Sequence, residues 1–246
     1  MLATKNLARF ASLGTALCTI AGVGLSPSAE GTAVGYVVTS TNVTNSGQNL
    51  VVYTLWARFN GPTDTVLNGF NFSAICGSSL VGFWHKDNAY YNSGVLSQEF
   101  GTWNPSQTGS ALLNRPYDSY LTIGGAATPA NTTSADPSWV SGGHADARGW
   151  DRPDLPTNGS LGWFNSNPPN LQGRVGTSGN TATDVRLGQF VRSASDSSQV
   201  SLSLTIGYNN GVPGSAVQFA TSIIFCPSPA AAALFALLGV KRSRQR

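Results

Sequence analysis

The sequence predicts an all-β protein: an antiparallel β-sandwich of jelly-roll or Ig-like type with long ordered loops. An N-terminal signal helix and a short C-terminal hydrophobic helix are expected to flank it. Three observations predict this. Apolar residues between Val34 and Phe225 recur with period two, helical 3.6-residue stretches are hard to find, and Gly, Ser, Thr and Asn crowd the segments between.

The chain starts "MLATKNLARF", with two cations and no acid, and continues "ASLGTALCTIAGVGL" before "SPSAEGTA". A basic start, a short apolar run and a small-residue zone are the three parts of a secretory signal peptide. Cleavage after Ala29 or Ala33 fits, so residues 1–33 are assigned to the signal, 34–225 to the β domain and 226–246 to a C-terminal segment.

Seven strands follow in order. "VGYVVTS" begins at Val34, and "LVVYTLWARF" turns Val51, Tyr53, Leu55, Ala57 and Phe59 to one side. "TVLNGFNFSAI" begins at Thr65, "DSYLTIG" at Asp118 and "DVRLGQFVRS" at Asp184. "QVSLSLTIGY" is the clearest, with Val200, Leu202, Leu204, Ile206 and Tyr208 on one face. "AVQFATSIIF" places Val217, Phe219, Ile223 and Phe225 together, and Asn-Asn-Gly at 209–211 supplies hairpin chemistry before it. Strands with one apolar face must bury it against another sheet.

From Tyr90 to about Val175 only "DSYLTIG" reads as a strand. The remainder is Pro/Asn/Gly-rich yet holds Trp103, Trp139, Trp150 and Trp163, four of six tryptophans. Disordered segments are poor in aromatics, so these are expected to be ordered loops over the sandwich. Their tryptophans either cap a core short of Leu and Met or form flat platforms for sugar rings. Trp56, inside a strand, is expected in the core.

Charge narrows the function classes. Six of 14 cations sit at the two ends, and between Glu30 and Phe225 eight cations face 11 anions. A basic footprint for nucleic acid is therefore missing from the body. The charge-rich stretch Asp146, Arg148, Asp151, Arg152 and Asp154 reads as an internally paired, solvated loop.

Cys18 leaves with the signal. An exported chain then retains Cys76 and Cys226, which would permit one disulfide. Both histidines have an aspartate two residues on, His85/Asp87 and His144/Asp146. On extended backbone such pairs point the same way and could surround a divalent metal, or the Asp residues could simply close turns. No Gly-x-Ser-x-Gly elbow is present, and no catalytic residue is assigned. Asn42, Asn71, Asn131 and Asn158 each begin an Asn-x-Ser/Thr sequon.

The chain ends "CPSPAAAALFALLGVKRSRQR". Ala230–Val240 is shorter than the roughly 20 apolar residues of a membrane-spanning helix. Pro227, Ser228 and Pro229, then this run, then Lys241, Arg242, Arg244 and Arg246 resemble a PEP-CTERM-type C-terminal sorting signal in a Pro-Ser-Pro variant. That resemblance implies a secreted bacterial protein, export and sorting machinery as partners, and a membrane held through the tail before processing. The body, with "GFWHKDNAYYN", "GTWNPSQTGS", "NTTSADPSW" and "WFNSNPPNLQGRV", resembles uncharacterised secreted β-sandwich proteins.

The expectation is an exported cell-surface or extracellular-matrix protein of structural or adhesive type, not an enzyme and without a resident cofactor. A polysaccharide-binding module built on the loop tryptophans is the first alternative. A metal-dependent enzyme or hydrolase on the His-x-Asp pairs is the second.

Overall fold

The computed structural model describes residues 16–19, 31–45, 47–76, 83, 103, 105, 117, 119–136, 161–195 and 200–226. The architecture is all-β. In chain order the strands are β1 (Ala16–Thr19), β2 (Ala33–Asn45), β3 (Gln48–Phe59), β4 (Thr65–Cys76), β5 (Tyr120–Leu121) and β6 (Thr133–Ala135). They continue with β7 (Leu161–Asn165), β8 (Asp184–Ser193), β9 (Val200–Asn209) and β10 (Gln218–Cys226). Among the described residues the helical content is one turn of 3-10 helix, Pro168–Asn170.

Two antiparallel sheets result, ordered β1-β2-β3-β8-β5 and β10-β9-β4-β7-β6, an arrangement consistent with a β-sandwich. The alternating residues explain why the sheets face each other. Val51, Tyr53, Leu55, Ala57 and Phe59 of β3 are buried, as are Leu202, Leu204, Ile206 and Tyr208 of β9. Across the gap the Phe72 and Phe190 rings stack 5.8 Å apart at 6°. Tyr36 ties β2 to the opposite sheet by donating its hydroxyl to the carbonyls of Leu204 (3.3 Å) and Ala220 (3.0 Å). Burial raises the Tyr36 phenol well above its ordinary range, so it remains a donor.

Four expectations need correction. Ala16–Thr19, assigned to a signal helix, is extended and pairs with Val37–Ser40 of β2. The exposed β2 edge offers this short apolar segment a full set of backbone partners. β10 has the expected alternation but the reverse orientation. Ile224 is buried and Ala220 faces the core, while Val217, Phe219 and Ile223 are exposed. Trp56 stands on the outer face of its sheet, because β3 buries its odd-numbered residues. "DSYLTIG" yields only the two-residue β5, and the loop-like "LGWFN" forms β7.

The hairpin before β10 forms as expected. Asn209 Oδ1 accepts from Gly211 N at 3.0 Å, and Asn210 Oδ1 from Val212 N at 3.1 Å. Gly211 takes φ +74, where a side chain would also meet the Thr63 carbonyl.

Candidate functional site

Trp103 and Trp163 are not platforms. Both are core residues. Trp103 is 2% exposed and packs its ring 5.4 Å from Phe83 and 6.0 Å from Phe190. Trp163 is 1% exposed, packs edge-on to Phe72 at 5.6 Å, and donates Nε1–H to the Thr122 carbonyl at 3.0 Å. An indole can be buried wherever its N–H finds an acceptor, and Thr122 provides one. Trp139, Trp150, His85, Asp87, His144, Asp146 and the tail residues Pro227, Ser228, Pro229, Lys241, Arg242, Arg244 and Arg246 lie outside the described residues. Among the described residues no group of three or more His, Cys, Asp or Glu could hold a metal ion.

The backbone register does not bring the cysteines together. Cys76 and Cys226 are both register partners of Val200, on opposite sides of β9. Two strand spacings put their Cα atoms about 9.5 Å apart. A disulfide needs them within about 7 Å.

The feature that stands out is the outer face of the sheet containing β10. Phe219, Gly207, Asn68 and Phe164 are successive register partners across β10, β9, β4 and β7. Three strand spacings place the two phenylalanines about 14 Å apart. Phe219 is 61% exposed and Phe164 48%. Phe70 fills the next row, its ring 5.8 Å from Phe219 at 87°. Ile223, 57% exposed, continues the strip towards the end of β10.

Local structure creates this face. The β4 register shifts between Phe70 and Ser73, with Asn71 at φ 52, so Phe72 enters the core while Phe70 stays outside. Gly207 leaves room for Asn68, whose Oδ1 accepts from Gly207 N at 3.0 Å. Thr205 and Thr221 share a hydroxyl hydrogen bond of 2.8 Å between the apolar rows. The result is aromatic and aliphatic surface ruled by hydroxyl and amide groups, with no charged side chain from Ser197 to Val240.

The opposite outer face differs. Arg186 stacks between Trp56 (5.9 Å) and Tyr120 (5.3 Å), and its Nη2 donates to Gln189 Oε1 at 2.6 Å. This is a cation–π sandwich across three strands. Burial raises the Tyr120 phenol, and the nearby guanidinium offsets part of that rise.

At one end of the sheets, Asn131, Asn165, Asn170, Gln172 and Asn180 form a connected amide network that pins the 166–181 loop. Gln172 Nε2 donates to Ile123 O (2.8 Å) and Asn131 Oδ1 (2.9 Å), and Oε1 accepts from Thr132 N (2.9 Å). Asn131 is buried, so the sequon it begins is closed to glycan in the folded state, whereas Asn42 and Asn71 are exposed.

Asp64 is fully buried. Its Oδ2 accepts from Gly61 N at 2.9 Å, its Oδ1 has no hydrogen-bond partner among the described residues, and a Cβ at Gly31 would collide with it. Burial raises its carboxyl pKa, with the Gly61 N–H pulling it part of the way back. The native state then binds this proton more tightly than the unfolded chain. Its contribution is complete below the ordinary carboxylate pKa and is lost as pH rises through the native value. Asp64→Asn is therefore expected to be more stable than wild type at pH 7, with a smaller difference at pH 4. Urea midpoints at both values check this, and an equal difference at both would show that Asp64 does not titrate as described.

No protein-family model, no curated protein and no solved structure matches this chain.

Proposed function

We propose that the chain is an exported structural or adhesive protein of the cell surface or extracellular matrix. Its working surface is the outer face formed by Phe70, Phe164, Phe219 and Ile223. The observation that carries this reading is the exposure of three of these four side chains on one regular sheet face without a charge among them. Contiguous apolar surface of this kind marks an interaction site on a soluble protein. The N-terminal and C-terminal segments supply the route: export through the signal, then sorting through the Pro-Ser-Pro tail. Of the two cleavage sites, Ala29 is the one that spares Thr32 and Ala33. Thr32 N–H donates to Asn60 Oδ1 at 2.8 Å, and Ala33 is buried against the core.

Localisation of the full chain against a truncation at Phe225 tests the route. The full chain is expected at the surface and the truncated one in the medium; equal retention would sink the sorting reading. Phe164→Ser with Phe219→Ser tests the face. Surface-exposed protein carrying both changes is expected to lose most of its cell-to-cell or cell-to-matrix adhesion.

Polysaccharide is the second reading. It is favoured by the hydroxyl and amide groups of Asn68, Thr205 and Thr221 between the rings. A pull-down on purified polysaccharides, lost in the same double variant, would support it.

A further inference from the structure

β10 is the outermost strand of its sheet, and among the described residues nothing pairs with its outer edge. Natural sheets blunt such edges with short strands, charges, prolines or bulges. This molecule uses the first device elsewhere. The opposite edges of the two sheets are β5 and β6, of two and three residues. In the unprocessed chain the β2 edge is covered in part by β1. β10 has none of these protections. It is nine residues long, pairs with β9 without a register shift, and contains no Lys, Arg, Asp, Glu or Pro. The charge-free stretch around it runs from Ser197 to Val240.

The side chains on its outer face are arranged symmetrically about Thr221. Phe219 and Ile223 lie two residues to either side, both exposed, and Thr221 between them is exposed as well. In an antiparallel pair of two β10 strands with Thr221 on the twofold axis, Phe219 of one copy lies opposite Ile223 of the other, twice. Thr221 lies opposite itself. Aromatic–β-branched and Thr–Thr cross-strand pairs are both favourable, and no like charges meet. A twofold contact requires a surface complementary to itself, and this edge is one. Shifting the register by two residues breaks both Phe–Ile pairs.

We propose that a second copy of this chain docks on the β10 edge, joining two five-stranded sheets into one of ten strands across a twofold at Thr221. The aromatic strip Phe70–Phe219 then continues through the Ile223 side chain of the second copy, and the outer face doubles in width. This names the partner of the face proposed above and rests on that reading of the face, though not on export.

Sedimentation of the purified full chain tests it. Wild type is expected to be dimeric at about 10 μM. Thr221→Lys and Thr221→Glu each place like charges on the axis and are expected to weaken the dimer at least about tenfold. Mixing the two variants should restore a heterodimer, because lysine then faces glutamate. Circular dichroism checks that each variant is folded. If charge at 221 unfolds the chain, Phe219→Thr with Ile223→Thr keeps strand-forming side chains and should likewise give monomers. A monomeric wild type at about 100 μM overturns the proposal. Variants that stay dimeric overturn the β10 edge, and a mixture that stays monomeric overturns the register. A wild-type chain that is dimeric but shows neither surface retention nor adhesion would instead sink the functional reading and leave this contact standing.

Discussion

Gln172→Ala is expected to lower stability by about 3–5 kcal/mol, because Ile123 O and Thr132 N–H lose the partner that this one side chain supplies to both. Gln172 is 4% exposed and sits where the 119–136 and 166–181 segments meet. Its Nε2 serves Ile123 O, Asn131 Oδ1 and, at 3.1 Å, Thr133 Oγ1. Its Oε1 receives Thr132 N–H, and its own carbonyl receives Asn180 Nδ2 at 2.9 Å. The backbone approaches so closely here that Gly124, at φ +76, could not carry a side chain without striking the Gln172 carbonyl oxygen. Each buried donor or acceptor left alone costs about 1–3 kcal/mol, and at least Ile123 O and Thr132 N–H would be left alone. Gln172→Leu, which keeps the volume, should fare no better, which separates lost hydrogen bonds from lost packing. Urea denaturation followed by tryptophan fluorescence reads the loss. A cost under about 1 kcal/mol for both variants would mean the network relaxes around the gap. A double-mutant cycle with Asn131→Ala should show strong coupling, since the two amides bond directly at 2.9 Å.

This network also explains where reading residues in order succeeds and where it stops. "LVVYTLWARF" and "QVSLSLTIGY" carry strict alternation through strands in the middle of their sheets, so the apolar face and the core face coincide. β10 has the same alternation, but at an edge the apolar face need not be the buried one. Ala220 and Ile224 were small or few enough to hide among Phe219 and Ile223. Nothing in a single strand's pattern records which side its neighbours occupy. The middle of the chain fails for another reason. Asn, Gln, Thr and Pro between 122 and 181 have the composition of solvated loops, and the amides they bury have no period. Their pairing depends on contacts such as Thr132 Oγ1 with Asn165 Oδ1, 2.6 Å apart but 33 residues separated in sequence. Length hid β6 and β7 as well, at three and five residues.

Within β7 three neighbours divide their roles. Asn165 turns into the amide network, Phe164 outward onto the strip, and Trp163 into the core. The network therefore positions the exposed ring as well as the loop. Fixing Asn165 from Thr132 on one side and Asn170 on the other sets the strand's rotation, and Phe164 follows from the pleat.

Trp163→Ala is expected to cost about 3–5 kcal/mol, while Phe164→Ala one residue on should stay within about 0.5 kcal/mol. The indole fills space that Gly69 leaves open: a Cβ there would lie 3.2 Å from the Trp163 ring. Its removal opens a cavity facing Phe72 and Leu204 and also strips the Thr122 carbonyl of its indole donor. Trp163→Phe divides these contributions. It keeps most of the aromatic packing but leaves the carbonyl without that donor, so a loss of about 1–3 kcal/mol is expected. Denaturant midpoints on the three variants read the stability pattern, and surface adhesion or polysaccharide retention read at a temperature where all three are folded gives the functional one. A core Trp163 with a working Phe164 predicts opposite orders in the two measurements: Trp163→Ala the less stable, Phe164→Ala the less adhesive. A Trp163→Ala chain as stable as wild type but unable to bind would instead return the recognition surface to the tryptophans and remove the phenylalanine face from the mechanism.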